Sequence, residues 1–261
     1  MLVLRPGALG DTLLAVPALR ALRRAGMQVT FAANGAAADF LRSVSEVDRA
    51  LAFDDPSLGW LFTGPPRDEM AVAWMSESPR GLPAGALLAP SRPPGMDRHC
   101  ARYLLETLAP LGIDVSWDDR PLRMNAASRD EVLVHAGSGS AVKNWPAEDF
   151  AAVIHALDCP VRLVVGEADE GPVARLEECL GRRLPRLEQP SLADLAARLA
   201  GCHAYLGNDS GVSHLAGLCG ARAVVMFGPT DPNVWRPIGP NVTALAFDTP
   251  TSEVARGLEK D

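Results

Sequence analysis

In the second half of the chain, short apolar runs typical of buried strands alternate with stretches that have the 3.6-residue spacing of helices. The predicted strands are Val132–His135, Val161–Val165, Ala204–Leu206 and Ala223–Phe227. The predicted helices are Ala147–Leu157, Glu170–Leu180, Leu192–Ala200 and Val212–Cys219. Pro146 opens the first of these helices, Ser191 caps the third, and Gly220 ends the fourth. This order predicts a parallel sheet covered by helices.

The first half shows the same alternation with less regularity. The predicted strands are Leu2–Arg5, Val29–Ala33, Ala50–Phe53, Ala71–Trp74 and Ala86–Ala89, and the predicted helices are Thr12–Ala25 and Arg98–Leu111. Pro17 would cost the first helix roughly 3 kcal/mol unless it lies near the helix start or at a kink. Residues 54–97 are rich in Pro and Gly and lack a helical period.

The pattern breaks at Leu122–Asp130, which predicts a linker between two domains. We expect an N-terminal domain over residues 1–125 and a second domain over residues 126–248. A C-terminal helix over residues 249–261 is expected to pack on the first domain. Because ligands of such sheets bind at the carboxyl ends of the strands, the loops that follow the strands are the candidate sites.

Composition narrows the class of protein. The 261 residues carry a net charge of −7 without a broad basic face, which argues against nucleic acid as a partner. No apolar run approaches the ~20 residues of a membrane span, so we expect no transmembrane segment. The five cysteines include no Cys-x-x-Cys pair, which favours reduced thiols and a cytoplasmic location.

The loop Gly207-Asn208-Asp209-Ser210-Gly211 joins a predicted strand to a predicted helix. Small residues and a capping Asp or Ser leave the helix N-terminal amides free to bind an anion. His214 lies one turn into this helix, and the next strand ends in the donor-rich loop Gly228-Pro229-Thr230. Together these loops predict a binding site for the phosphates of a nucleotide.

A second loop, Gly137-Ser138-Gly139-Ser140, follows the strand Val132–His135 and precedes Lys143. Its glycines and serines offer amide and hydroxyl donors to an anion. Lys143 and Lys260 are the only lysines, so we favour a phosphate contact for Lys143 over an unspecific surface position. The spacing is not that of a Walker A loop.

Carboxylates follow two other predicted strands. Asp11 is either the N-cap of a helix or a general base. Glu167 and Glu170 either contact the hydroxyls of a ribose or are solvated residues at a helix start. The chain contains no His-x-x-x-His, Asp-x-Asp or Gly-x-Ser-x-Gly motif, so a metal site and a serine hydrolase find no support.

Three blocks of sequence give the chain a family resemblance. They are Arg5-Pro6-Gly7-Ala8-Leu9-Gly10-Asp11, the loop Gly137–Pro146 with Lys143-Asn144-Trp145-Pro146, and Asp209-Ser210-Gly211-x-x-His214-Leu215-Ala216 with Phe227-Gly228-Pro229-Thr230-Asp231-Pro232. In these blocks the chain resembles the glycosyltransferases of family 9, the ADP-heptose:lipopolysaccharide heptosyltransferase family. It would be a member shorter than is usual for the family, with the missing length around residues 54–97. The resemblance implies the α/β GT-B fold, in which two Rossmann-like parallel-sheet domains face a cleft, and an inverting transfer without metal or cofactor.

Roles follow by resemblance for the matching residues. Asp11 would be the base that deprotonates the acceptor hydroxyl, and Lys143 would stabilise the leaving diphosphate. The residues implied in donor binding are Gly10, Ser138, Glu170, Asp209, Ser210, Gly211, His214, Gly228 and Thr230. Glu170 is the better match for a carboxylate on the nucleoside side, with Glu167 as a rival.

The implied partners are an ADP-linked sugar donor and a saccharide or glycolipid acceptor of lipopolysaccharide biosynthesis, with peripheral attachment to the inner membrane left open. Two alternatives remain at this point. One is a nucleotide-sugar epimerase of the same fold, and the other is a non-catalytic protein that binds nucleotide sugars.

Overall fold

A computed structural model describes residues 1–67 and 69–259 of the chain. They form two compact units, Met1–Asp118 and Asp119–Asp261, referred to below as the first and second unit. The division falls just before the predicted linker. Both units alternate strands with helices along the chain, as the sequence pattern predicts.

The first unit contains a parallel sheet with the strand order β3-β2-β1-β4-β5. Its strands are β1 Leu2–Leu4, β2 Thr30–Ala33, β3 Arg49–Ala52, β4 Ala71–Trp74 and β5 Leu87–Ala89. Its helices are α1 Leu9–Leu13, α2 Val16–Arg24, α3 Gly35–Ser43, α4 Trp60–Thr63 and α5 Cys100–Glu106. The five predicted strands of this half are therefore present, whereas α3 and α4 were not predicted.

Two predicted helices of the first unit are shorter than expected, and proline explains both differences. The helix predicted over Thr12–Ala25 is broken into α1 and α2, and Pro17 lies in the first turn of α2. A missing amide costs nothing there, because the first turn has no intrahelical acceptor for it. The helix predicted over Arg98–Leu111 ends at Glu106, four residues before Pro110, whose ring would clash with the carbonyl of that residue.

The second unit contains a parallel sheet with the strand order β11-β10-β9-β6-β7-β8. Its strands are β6 Val132–His135, β7 Val161–Val165, β8 Arg186–Glu188, β9 Ala204–Asn208, β10 Ala223–Phe227 and β11 Val242–Ala246. Its helices are α6 Ala147–Ala156, α7 Glu170–Leu180, α8 Leu192–Gly201, α9 Gly211–Leu218, α10 Pro232–Trp235 and α11 Thr251–Arg256. The edge strands β8 and β11 and the short α10 were not predicted.

The core of the second unit explains why its central elements were easy to predict. Strands β6, β9 and β10 are buried along their whole length, as expected for parallel strands covered on both faces. Trp145 packs edge-on against Phe150 of α6, with ring centroids 5.1 Å apart, and its indole N–H donates to the carbonyl of Phe247 at 3.1 Å. Helix α11 packs against α6 within the second unit. Its predicted packing on the first domain stays a prediction, and residues 260–261 of the predicted helix lie outside the described residues.

Strand order places the candidate loops. In the second unit, consecutive strands run outward from β6 through β7 to β8, and then from β9 through β10 to β11 on the other side. The chain therefore changes direction between the neighbours β6 and β9, and in the first unit it does so between β1 and β4. In open parallel sheets, ligands bind outside the carboxyl ends of the strands at this switch point. Asp11 follows β1, and the loops of Ser138 and Asp209 follow β6 and β9.

Candidate functional site

Helix α9 begins at the switch point of the second unit. Ser210 is its N-cap, and the Ser210 hydroxyl oxygen accepts a hydrogen bond from the amide of Ser213 at 3.4 Å. The helix begins one residue earlier than predicted, at Gly211. His214 lies in the first turn and is 5% exposed. This arrangement gives the helix start the partial positive charge that attracts anions.

Three loops converge on the carboxylate of Asp209. Lys143 Nζ and Thr230 Oγ1 each donate to Asp209 Oδ2 at 2.8 Å. His214 Nε2 lies 3.9 Å from Asp209 Oδ1. Residues far apart in the sequence, after β6, β9 and β10, thus meet at one carboxylate beside the α9 N-terminus. We refer to Lys143, Asp209, His214 and Thr230 as the Asp209 cluster.

A buried polar chain beneath this cluster was missed by the sequence analysis. His135 Nε2 bonds to Asp169 Oδ2 at 3.0 Å, and His135 Nδ1 bonds to Ser210 Oγ at 3.3 Å. The amide of Gly166 also donates to Asp169 Oδ2, at 2.7 Å. The chain links the ends of β6, β7 and β9. The only signal in the sequence was that His135 ends a wholly buried strand, where a polar side chain needs a partner.

Asp169, rather than Glu167 or Glu170, is the carboxylate of the β7–α7 loop that turns inward. Asp169 is buried, whereas Glu167 is exposed and Glu170 projects toward Arg186, with 3.6 Å between Glu170 Oε2 and Arg186 Nη1. A Cβ added to Gly137 would lie 1.8 Å from Asp169 Oδ1. Glycine at position 137 is therefore required by the close approach of Asp169.

Charge and hydrogen bonds decide the protonation of Asp169. Burial alone would raise its pKa, but the hydrogen bond and charge of His135 and the amide of Gly166 outweigh burial and lower the pKa below its ordinary value of 3.8. An ionised Asp169 accepts hydrogen bonds only, so His135 must carry a proton on Nε2. The pair thereby fixes the orientation of the imidazole that contacts the α9 N-cap.

Other predicted donor-site residues lie at the same edge of the sheet without joining the Asp209 cluster. The Ser138 hydroxyl contacts its own loop, within 2.7 Å of Asn144 Oδ1 and of the Ser140 carbonyl oxygen. A Cβ at Gly228 would lie 2.5 Å from the ring of Phe247, so this glycine permits close packing of β10 against the segment after β11.

In the first unit, the structure places Asp11 in the first turn of α1 and not at its N-cap, which is Ala8. Asp11 Oδ2 accepts the amide of Ala8 at 3.1 Å, and Asp11 Oδ1 accepts from Arg5 Nη2 at 3.1 Å. Gly7 adopts φ +147°, and a Cβ there would lie 2.7 Å from the Asp11 Cβ. Gly10 lies within α1. Although Arg5 is buried, the Asp11 side chain remains 36% exposed.

In the part of the chain that the structure describes, no group of three or more His, Cys, Asp or Glu side chains could hold a metal ion. None of the helices formed by residues 1–67 and 69–259 is long and apolar enough to cross a membrane.

Residues 106–257 match the sequence model of glycosyltransferase family 9 (heptosyltransferase), which covers more than half of the chain. The chain belongs to glycosyltransferase family 9. This confirms the resemblance drawn from the three sequence blocks, and it makes the protein a glycosyltransferase. No curated protein sequence matches the chain significantly.

Solved structures agree with the membership in family 9. A family 9 glycosyltransferase from Veillonella parvula has a TM-score of 0.78 at 19% identity, covering 98% of this chain and 89% of that one. The E. coli ADP-heptose lps heptosyltransferase II has a TM-score of 0.76 at 17% identity, covering 98% and 96%. The E. coli heptosyltransferase WaaC with ADP has a TM-score of 0.72 at 18% identity, covering 98% and 97%. The predicted GT-B class of this family 9 chain is thus confirmed.

The buried His135–Asp169 pair predicts a pH-dependent contribution to stability. Asp169→Asn should lower the free energy of unfolding at pH 7 by about 1–3 kcal/mol, because it weakens the bonds to a buried charge. The lowered pKa of Asp169 means that this contribution is present above pH 3.8 and is lost as the pH falls below it. Thermal unfolding of the wild type and of Asp169→Asn between pH 3 and 7 would measure the difference in their stability.

The exposed neighbour Glu167 provides the matched control, since Glu167→Gln should change stability by less than about 0.5 kcal/mol at every pH. An Asp169→Asn penalty that stays constant down to pH 3 would show that charge on Asp169 does not stabilise the fold.

Proposed function

We propose that the protein transfers a sugar, heptose from ADP-heptose, to an acceptor hydroxyl, with inversion at the anomeric carbon and without a metal ion. The observation that carries the proposal is the Asp209 cluster, in which Lys143 and Thr230 from two loops and His214 of α9 meet at the start of α9. Known heptosyltransferases of the same fold, one of them solved with ADP, support the choice of donor.

The Asp209 cluster is suited to a diphosphate leaving group. As the bond between the sugar and the phosphate breaks, the departing nucleoside diphosphate gains negative charge. That charge would be stabilised by the Lys143 ammonium and by the amides at the N-terminus of α9, beginning with those of Ser210 and Gly211. Donors fixed before the reaction stabilise the transition state more than the ground state. Ser138, Gly228 and Thr230 would supply further donors to the phosphates, and Glu170 would face the nucleoside.

Asp11 is the proposed general base. An acceptor hydroxyl would attack the anomeric carbon while Asp11 takes its proton, and the diphosphate would leave with the electrons of the broken C–O bond. Arg5 and the Ala8 amide each hold one Asp11 oxygen, which fixes the carboxylate in one orientation. Each oxygen retains a lone pair for the acceptor proton. Gly10 precedes Asp11 in α1 and lets the acceptor approach without a side chain in between.

Removing the Lys143 charge tests the donor site. Lys143→Ala should raise the Kd of ADP on the order of tenfold and lower kcat by about 10²–10³, as the loss of a charge-stabilising donor does elsewhere. Isothermal titration with ADP, UDP, GDP and CDP, together with a transfer assay using ADP-heptose, would measure both effects. Lys143→Arg keeps the charge and should retain most of the ADP affinity. Unchanged ADP binding by Lys143→Ala would remove Lys143 from the donor site.

Asp11→Asn separates catalysis from donor binding. Transfer should fall by about 10²–10⁴, the contribution typical of a general base, while the Kd of ADP changes less than about twofold. Asp39→Asn is the matched control, because Asp39 is an exposed carboxylate of the same unit in an ion pair with Arg42. Its transfer rate should equal that of the wild type. Parallel loss of ADP binding in Asp11→Asn would instead assign Asp11 a structural role.

A further inference from the structure

Asp209 is a carboxylate at the place where the proposed function requires an anion. The groups proposed to bind the donor phosphates, Lys143 and Thr230, both donate to the same oxygen of Asp209. A carboxylate and a phosphate oxygen accept the same hydrogen bonds from the same donors. Asp209 therefore satisfies these donors in the way that a phosphate oxygen would.

The two partners differ in their freedom to move. Asp209 joins β9 to α9, its side chain is 7% exposed, and its amide is bonded to the carbonyl of Met226 at 3.1 Å. Lys143 ends a 3-10 turn, Ala141–Lys143, in a loop whose Val142 is 72% exposed, and the Lys143 side chain is 33% exposed. The buried carboxylate therefore holds the more exposed cation, and the four-carbon stem of a lysine lets the cation turn to another anion.

Resting on the proposed function, we infer that Asp209 is a positioning residue that takes the place of the donor phosphate before the donor binds. It holds Lys143 and Thr230 at the α9 N-terminus until the donor binds, and the diphosphate then takes both groups from it. After transfer, Asp209 competes with the nucleoside diphosphate for Lys143 and promotes its release. Asp209 thus weakens the binding of the product, which is the opposite of the effect of a direct ligand.

The sign of a mutational effect distinguishes these roles. Asp209→Asn removes the charge but keeps an oxygen that can accept from Thr230. With the charge gone, residue 209 no longer competes with the diphosphate for Lys143, so the Kd of ADP should fall on the order of tenfold. The inhibition constant of ADP in the transfer assay should fall in parallel. Glu178→Gln, which removes one charge from an exposed ion pair on α7, should leave both constants unchanged.

A double-mutant cycle tests whether the competition is for Lys143. In a Lys143→Ala background, the gain in ADP affinity from Asp209→Asn should shrink at least about threefold, since coupled residues are not additive. An equal gain in both backgrounds would overturn the competition, and a weaker ADP affinity of Asp209→Asn would make Asp209 a direct ligand or a structural residue. Circular dichroism and thermal unfolding of each variant establish that it is folded.

The wild-type protein offers a second test that needs no folded Asp209 variant. Because the chain has only two lysines, isotope labelling of lysine side chains gives two NMR signals, and Lys143→Ala assigns them. ADP should move the Lys143 signal as its ammonium leaves the carboxylate for the phosphates. A Lys143 signal that stays unchanged while ADP binds would overturn the inference.

Failure of the proposed donor site and failure of the inference on Asp209 give different results. If Lys143→Ala binds ADP as tightly as the wild type, or if the wild type does not bind ADP, the proposed donor site fails and the inference fails with it. If Lys143→Ala weakens ADP binding and Asp209→Asn weakens it too, only the inference fails.

Discussion

The side chain of Asn208 ties the end of β9 to the loop that follows β6. Its amide group donates to the carbonyls of Ala136 and Gly137 at 2.9 and 3.2 Å, and its oxygen accepts the amide of Trp145 at 2.9 Å. Asn208 is completely buried, so leaving these groups unpaired would cost about 1–3 kcal/mol each. The loop between Ala136 and Trp145 carries Lys143. Its two ends are thus anchored to the strand that leads into Asp209 and Ser210, which keeps the loops of the candidate donor site at a fixed distance.

The close approach of the loops at the ends of β6 and β9 also explains the small residues found there. Asp169 approaches the backbone at Gly137, and the Tyr205 hydroxyl would lie 2.2 Å from a Cβ on Gly207. Tyr205 is buried, and its hydroxyl bonds to Ser213 Oγ at 2.9 Å, beside the N-cap Ser210. A polar network in a low-dielectric interior is stable only when its members are satisfied, so the backbone must come close enough to supply partners. Gly137 and Gly207 thus serve this close packing.

The sequence predicted the parts of the structure that depend on local pattern. The ranges of β6, β7, β10 and α7 are those predicted. Buried parallel strands such as β6 and β10 appear as apolar runs between turn residues, which makes them easy to recognise. The edge strand β8 carries no such signal, because its ends are the charged Arg186 and Glu188, and it was missed. The loops after β6, β9 and β10 could be grouped as one site because parallel strands place their carboxyl ends at one edge.

Contacts between loops were beyond the sequence. Nothing local indicates that His135 meets Asp169, since His135 ends β6, Asp169 lies in the loop after β7, and only the pairing of the two strands brings them together. Asp169 and Glu170 are neighbours in sequence, yet one turns inward and the other outward, because successive residues at a helix start point about 100° apart. The sequence could therefore place a carboxylate in this loop without deciding which one faces the interior.

The two units place a carboxylate beside a cation at each switch point, with different consequences. Arg5 is buried beside Asp11, and its guanidinium is permanently charged. Because Arg5 is held in the interior while the Asp11 side chain is 36% exposed, the guanidinium fixes the carboxylate in place and still leaves it open to solvent. The Lys143 side chain is 33% exposed, so an anion from solvent can reach its ammonium, and in the inferred cycle the diphosphate replaces Asp209 as its partner. A base must keep its orientation through the reaction, whereas a phosphate ligand must change partners in every cycle. The permanence of the first ion pair and the lability of the second match these two demands.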